Sequence, residues 1–433
     1  MISLWSDSVS LPEFKAQDRD INVDVLIIGG GITGILCAYM LGKAGVDHAL
    51  VEADRICSGA TKNTTAKITF QHGLIYQKLI KRFGAERARM YLEANAEALE
   101  EYRSICGTID CGYRERDAYV YSRDNRRTLE NELDALKEIG YTAEFAGGLP
   151  LPFPVAGAVR FKEQAEFDPL KFIAAVSRGL NIFENTRVME LTGNGAVTEN
   201  GKITAKKIIA ATHFPFINKH GSYFLKLYQK RSYVIALDSV PELDGMYIDE
   251  AENGISLRNV NNVLLVGGGG HRTGKKGENW AVPEAFASEY YPQCKVVYRW
   301  AAQDCMSLDG VPYIGRYSKQ TPDFYVASGF NKWGMTSSMA AAKILADMVT
   351  GKENRFAPVF SPSRSILRRQ LAVNAFEAVT NLMTVSSKRC PHMGCALKWN
   401  SQEHSWDCPC HGSRFTGSGK LIDGPATGDL KHE

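Results

Sequence analysis

Apolar residues crowd into 23–28, VDVLII, and give way at once to GGGITG. ILCAYMLGKAG then carries apolar positions at helical spacing as far as Gly45, and a second apolar run, DHALVEAD, ends near Glu52. Strand, glycine turn, helix and strand in that order make a βαβ unit. Further on, 75–106 is rich in Ala, Glu, Leu and Arg and predicts long helix, as does 126–139. Strand-like pieces occupy 181–212, among them KKIIAAT. Short apolar runs at 231–237, 246–248, 255–258 and 262–266 predict an antiparallel sheet in a second domain. DFYVASGFNKWGMTSSMAAAKILADMVTG again reads as strand, glycine turn and helix. FAPVFSPSRS marks a linker, and ILRRQLAVNAFEAVTNLM one amphipathic helix.

At 433 residues the chain is long enough for two or three domains with sizeable cores. A net charge of only +3 points away from nucleic acid and from an anionic membrane surface. The N-terminus has no basic start followed by an apolar core, so no signal peptide is expected. The most apolar stretch, around VDVLIIGGGITGILCAYMLGKAG, is broken by six glycines and does not read as a membrane span. The expectation is a cytoplasmic protein. Cys37, Cys57, Cys106, Cys111, Cys294 and Cys305 are scattered and read as core thiols.

Gly29, Gly31 and Gly34 fit G-x-G-x-x-G directly after a strand. The first permits the turn, the second lets backbone approach a pyrophosphate, and the third lets helix pack on strand. The helix N-terminus then offers N–H groups and a positive dipole end to phosphates. Glu52 lies where a carboxylate can accept from ribose hydroxyls. The site is one for a dinucleotide.

VEADRICSGATKNTTAKIT, DGVPYIG (309–315) and SGFNKWGMT (328–336) resemble, over roughly 20–355, segments of the D-amino-acid oxidase, glycine oxidase and sarcosine oxidase flavoproteins. The resemblance implies FAD. It implies contacts from Gly29, Gly31, Ile32, Thr33, Gly34 and Glu52 at the adenosine–pyrophosphate end, and from Ala60, Thr61, Thr65 and Ala66 along the cofactor. Gly329, Lys332, Trp333, Gly334, Met335 and Thr336 would face the isoalloxazine ring, where helix N–H groups stabilise negative charge on reduced flavin. The family oxidises C–N bonds and holds amino-acid carboxylates with Arg and Tyr. The candidates are Arg231 with Tyr233, and Arg272 beside His271. In sarcosine oxidases a Lys four residues before that His helps oxygen react; Gly267 stands there in this chain. Cys305 lies near the region of covalent flavin attachment in sarcosine oxidases, but its spacing to Asp309 does not match, so FAD is expected to be non-covalent.

CPHMGCALKWNSQEHSWDCPCHGS holds four of the ten cysteines and three of the nine histidines. Cys390 and His392 form Cys-x-His; Cys408 and His411 form Cys-x-x-His. Two thiolates and two imidazoles suit a Rieske [2Fe–2S] centre, in which thiolates hold one iron and imidazoles the other. Zinc also takes two Cys and two His, but finger spacing pairs like with like, whereas each loop here mixes one of each. CPHMGC and CPCHGS resemble Rieske proteins of the respiratory type. That resemblance implies a Cys395–Cys410 disulfide, a Ser413 hydroxyl donating to a bridging sulfide, and Pro425 in the loop over the cluster. It also puts Phe415 where high-potential members carry a Tyr that donates to a cysteine sulfur. His404 reads as a surface residue. Only 384–389 separates the linker helix from Cys390, so much of the usual base sheet is missing.

The expected fold class is an α/β FAD-binding domain (Rossmann-like, glutathione-reductase-type) with an α+β substrate domain, plus a small, shortened all-β Rieske module. The FAD-binding domain is assigned 20–75, 155–215 and 300–355, and the substrate domain 76–154 and 216–299. The linker helix is 356–383 and the module 384–433. The expected activity is oxidation of a small amine or amino acid at FAD, with electrons passing to the cluster and then to an external acceptor. The alternatives are a reductase or electron carrier serving a partner, and a redox-sensing binding protein with a vestigial flavin site.

Overall fold

The computed structural model describes residues 2–217 and 220–431. The apolar run in Ile21–Ile28 becomes the middle of a parallel sheet, where both edges are paired and both faces covered. Gly201–Ala210 pairs with it on one side and His48–Val51 on the other, both parallel. Ile182–Phe183 and Thr321–Ser328 extend the sheet outward, and Tyr313–Ser318 adds an antiparallel edge. The helices Ile32–Lys43 and Gly334–Val349 pack together over this sheet. Small residues let them approach, and the hydroxyls of Thr33 and Ser338 meet at 2.8 Å.

The second sheet runs in the order Val296–Ser307, Leu227–Asp238, Val263–Arg272, Ser256–Val260, Met246–Asp249, Arg114–Ser122, Gly157–Glu166, Lys67–Ile68. The four runs between 231 and 266 are all in it, antiparallel to their sequence neighbours. Three strands depart from the expected domain division. Lys67–Ile68 pairs with Gly157–Glu166, Gly157–Glu166 with Arg114–Ser122, and Val296–Ser307 with Leu227–Asp238, so all three belong to this second sheet. A strand's partner is not a local property of its sequence. The helix expected over 75–106 is two helices, Tyr76–Phe83 and Ala85–Cys106. They part at Gly84, whose φ of +85° no α-helix accepts. Arg126–Glu138 forms as expected, with the Asn125 side chain accepting the Thr128 N–H at 3.1 Å, a cap of about 1 kcal/mol.

The C-terminal part has the helix Arg369–Met383 and a four-stranded antiparallel sheet of three-residue strands, Lys398–Asn400, Ser405–Asp407, Arg414–Thr416 and Leu421–Asp423. The helix turns its polar side inward. Asn374 and Asn381 are buried, while Val373, Phe376 and Val379 are exposed. Asn374 donates to the Leu225 carbonyl at 3.1 Å, and the Asn381 carbonyl accepts the Ala396 N–H at 2.9 Å. No helix among the described residues is long and apolar enough to cross a membrane.

Candidate functional site

The glycine turn is sterically forced. Gly29 sits at φ +111°, and a Cβ there would stand 2.6 Å from the Ala211 oxygen. A Cβ on Gly34 would stand 1.9 Å from the Gly29 oxygen. Gly31 differs: a Cβ there would meet only Thr61 Oγ1, at 3.5 Å, so this glycine opens a cradle at the helix N-terminus. Ile32 N–H donates to Thr61 Oγ1 at 3.0 Å, tying the turn Ala60–Asn63 to that end. The Glu52 carboxylate accepts N–H groups from Gly30 at 2.6 Å and Asp54 at 3.0 Å. Burial raises its pKa against the pull of those bonds. The carbonyls of Thr65 and Ala66 are held by the buried guanidinium of Arg258, which pairs with Glu166 at 3.0 Å. Nothing in ISLR distinguishes Arg258 from a surface arginine, because its role depends on a segment nearly two hundred residues away.

At the start of the helix Gly334–Val349, Asn331 and Lys332 both take left-handed backbone, φ +53° and +75°. Such placements cost of order 1 kcal/mol each and cluster at functional sites. Asn331 is locked by Ser307, whose N–H donates to its Oδ1 at 2.8 Å. Trp333 stacks on His72 at 5.0 Å, Tyr102 donates to the Met335 carbonyl at 3.1 Å, and Thr336 donates to the Thr69 carbonyl at 2.9 Å. Around Gly334 the space is open. Lys332 is accessible to solvent, yet the protein around it pushes its ammonium below the usual lysine value. Its Nζ lies 3.3 Å from where a Cβ on Gly270 would be, and it makes no hydrogen bond among the described residues.

The substrate candidates fall on a sheet with two faces. Alternation along Leu227–Asp238 sends Lys230 and Ser232 one way, and Gln229, Arg231 and Tyr233 the other. Lys230 pairs with Glu252, and Ser232 donates to Asp304 at 2.9 Å. Arg231 and Tyr233 do grip a carboxylate, but it is that of Glu403, from the C-terminal module. Arg231 Nε lies 3.0 Å and Tyr233 Oη 3.1 Å from its Oε1, and Arg231 Nη2 pairs with Oε2. Arg272 donates to the carbonyls of Pro409 at 3.0 Å and Cys410 at 3.1 Å. His271 stacks on Tyr233 at 5.5 Å, and burial lowers its pKa. The expectation that Arg231, Tyr233 and Arg272 hold a substrate carboxylate is therefore revised: their polar groups are spent on the module.

In the module, Cys390, His392, Cys408 and His411 converge from two loops, which the Cys395–Cys410 disulfide joins. The thiols of Cys390 and Cys408 touch. That contact, with the Ser413 hydroxyl and the N–H groups of His392 and Met393, holds Cys390 down to about 7. The two imidazole rings cross at 4.9 Å. Burial pushes His392 to about 4 and His411 to about 3, so both are neutral at pH 7, the form that binds metal. His411 Nε2 donates to the Phe224 carbonyl at 3.0 Å, which leaves the lone pair on Nδ1. That Nδ1 is buried with no hydrogen-bond partner among the described residues, an acceptor that a metal would satisfy. The sulfurs of Cys395, Cys408 and Cys410 also lie within 4.8 Å of one another. Two of those are bonded to each other, so the quartet with one Cys and one His per loop is the better donor set. His404 is exposed, as expected.

The sequence profile of the FAD dependent oxidoreductase family matches residues 24–348. The chain belongs to that family. The profile of the Rieske [2Fe-2S] domain matches residues 356–432, reaching back over the linker helix. This FAD dependent oxidoreductase is 34% identical over 490 aligned residues to YhfW of Bacillus subtilis (strain 168), named as a Rieske 2Fe-2S iron-sulfur protein, with 99% of this chain and 96% of that one covered. It is 24% identical over 379 residues to the gamma-glutamylputrescine oxidoreductase of Escherichia coli (strain K12), covering 79% of this chain and 87% of that one. Glycine oxidase from Geobacillus kaustophilus superposes with a TM-score of 0.67 at 21% identity, covering 80% and 100% of the two chains, a likeness of fold. The cofactors are accordingly FAD and a [2Fe–2S] cluster. The open cradle at Gly31 and the unsatisfied Nδ1 of His411 fit them.

Two expected results follow from the site's packing. Cys305 is buried, and its thiol is pushed up to about 12, so it supplies no thiolate to attack flavin. Acid precipitation should release all yellow colour into the supernatant; colour left in the pellet would mean covalent attachment. Phe415 is fully buried in one cluster with Cys390 and Cys408. Phe415→Tyr should raise the cluster potential by some tens of millivolts, since a neutral donor to a ligand sulfur contributes roughly 1 kcal/mol and 59 mV is tenfold for one electron. Protein-film voltammetry on both variants measures it, and a zero or downward shift with the cluster intact would place the hydroxyl elsewhere.

Proposed function

We propose that this enzyme oxidises the C–N bond of a small amine or amino acid and passes the electrons, one at a time, through its Rieske centre to an external acceptor. The observation that carries the reading is the direction the histidine ligands face. Phe214 lies 6.4 Å from the His392 ring and 5.9 Å from that of His411, and Phe224 lies 6.4 Å from His411. Phe214 is three residues beyond Ala211, whose carbonyl abuts Gly29 in the nucleotide turn. The imidazole edge of the iron site thus packs against the flavoprotein, with His411 buried and His392 half-buried. Bound FAD supplies a two-electron acceptor, and the bound cluster a one-electron one.

The chain's own residues do the rest. Gly29, Gly31, Gly34 and Glu52 would hold the adenosine–pyrophosphate end. Gly329 to Thr336 would present N–H groups to the ring. Lys332, an ammonium at the start of the helix Gly334–Val349 with no hydrogen bond among the described residues, favours a substrate that carries a carboxylate. Lys332→Met should weaken binding of such a substrate about ten- to a hundredfold, the worth of a charge-assisted hydrogen bond, and leave an amine without a carboxylate unaffected. Equal Kd values for the variant and the parent would remove Lys332 from substrate binding.

The function is tested by anaerobic mixing with candidate amines, glycine, proline and gamma-glutamylputrescine among them. A true substrate should bleach the flavin and then raise the EPR signal of the reduced cluster. Bleaching without that signal would break the link between the cofactors, and a flavin inert to every amine would sink the reading.

A further inference from the structure

The Rieske module is too small to shape its own ligand loops. Its strands are three residues long, and half of its eight buried core residues are cysteines. A module of about 50 residues buries little core of its own and needs outside support. The flavin domain supplies what is missing. Arg272 takes the carbonyls of Pro409 and Cys410, Gln229 takes that of His411 at 2.8 Å, and Gln303 takes that of Gly412 at 2.9 Å. Four consecutive carbonyls of the second ligand loop are therefore held by side chains more than a hundred residues upstream. The contact leaves no slack. A Cβ on Gly274 would stand 2.6 Å from the Pro409 nitrogen, and one on Gly412 would stand 2.7 Å from Gln229 Cβ. Glu403 anchors the other side. Burial alone would raise its carboxyl, but Arg231 and Arg414 outweigh that and hold it low. Both guanidiniums and the carboxylate are buried.

We propose that the Leu227–Asp238, Val263–Arg272 and Val296–Ser307 face is a docking site for the second cluster loop, on which Gln229, Arg272 and Gln303 are positioning residues that hold Cys408 and His411 in ligating geometry. The Arg231–Tyr233 pair is the socket for Glu403. The first loop is held separately, by the linker helix: Arg389 donates to the Leu382, Thr384 and Gly394 carbonyls. The iron centre is thus completed across the domain boundary, and the flavin domain stands where a base sheet would.

The proposal rests on the Rieske reading of the four ligands and is tested without substrate. Gly274→Ala puts a methyl group into the Pro409 backbone; Gln303→Leu removes, at nearly constant volume, the amide that donates to the Gly412 carbonyl and accepts from the Thr273 hydroxyl. Neither residue touches the flavin motifs. In the full-length chain, both variants should lose their cluster to an iron chelator about tenfold faster than the parent, the usual cost of losing a group that orients a metal ligand. Both should also show a broadened or shifted EPR spectrum, with flavin content unchanged. Parental retention and spectrum in both variants would overturn the proposal, as would loss of flavin in step with iron, which would show general unfolding. A failure of the ligand reading shows up separately, as a parent chain without iron or sulfide.

Discussion

Gly34→Ala is expected to yield a chain that holds no flavin and unfolds several degrees earlier than the parent. The added Cβ would lie 1.9 Å from the Gly29 carbonyl oxygen, a backbone atom that moves only with the strand end Ile28 and the Ala211 segment behind it. The helix Ile32–Lys43 must therefore tilt off the sheet. Overpacking a fitted core costs typically 1–3 kcal/mol and more where backbone must shift, and a loss of that size lowers Tm by several degrees in a domain of this length. The tilt also carries the N–H groups at Gly30 and Ile32 out of register with Glu52 and Thr61, so dinucleotide affinity falls with stability. Gly59→Ala is the control, since nothing lies within 4 Å of its Cβ position. The flavin-to-protein absorbance ratio and a thermal melt decide the matter. A Gly34→Ala chain with full flavin and the parental Tm would mean that the strand-to-helix turn is looser than its geometry.

His411→Cys is expected to lower the cluster potential by on the order of 100 mV and to move the EPR spectrum toward that of an all-thiolate centre. A thiolate in place of neutral imidazole adds negative charge to one iron, which disfavours adding an electron. Rieske centres lie at about −150 to +300 mV against about −400 mV for all-thiolate plant-type centres. Two such replacements separate the two classes, and this variant makes one. His411 is the sharper choice of the two histidines because the Phe224 carbonyl fixes its Nε2 as the N–H, so that the buried, unpartnered Nδ1 keeps the lone pair. The substitution also deletes that hydrogen bond, and cluster yield should drop along with potential. An unchanged EPR signal would show that His411 is not a ligand. Absence of any EPR signal from the reduced parent, with zinc found in its place, would overturn the iron assignment altogether.

Much of this protein was legible in its chain. The βαβ turn was, because Gly29 and Gly34 meet atoms only a few residues away or on an adjoining strand, and local chemistry fixes glycine there. The four cluster ligands were, because two Cys–His pairs at short spacing carry their chemistry in the string itself. Gly84 shows the limit. One glycine in a helical pattern is tolerated often enough that the break between Tyr76–Phe83 and Ala85–Cys106 could not be read from it.

Tertiary structure alone decided the partners. Arg231 and Tyr233 look like a carboxylate-binding pair in the sequence, and they are one. Glu403, the carboxylate they bind, lies 172 residues from Arg231, and no local pattern ties the two together. Gln229 and Gln303 read as ordinary polar positions on strands, and only the docked loop makes their N–H groups part of the iron site. The physical reason is common to all of them. Periodicity and spacing report what a residue does to its own segment, whereas a buried hydrogen bond or ion pair is chosen by whichever segment folding brings opposite it. In this chain the sequence determined which cofactors are held, and the tertiary structure decided that the second cluster loop rests on the second sheet of the flavin-binding part.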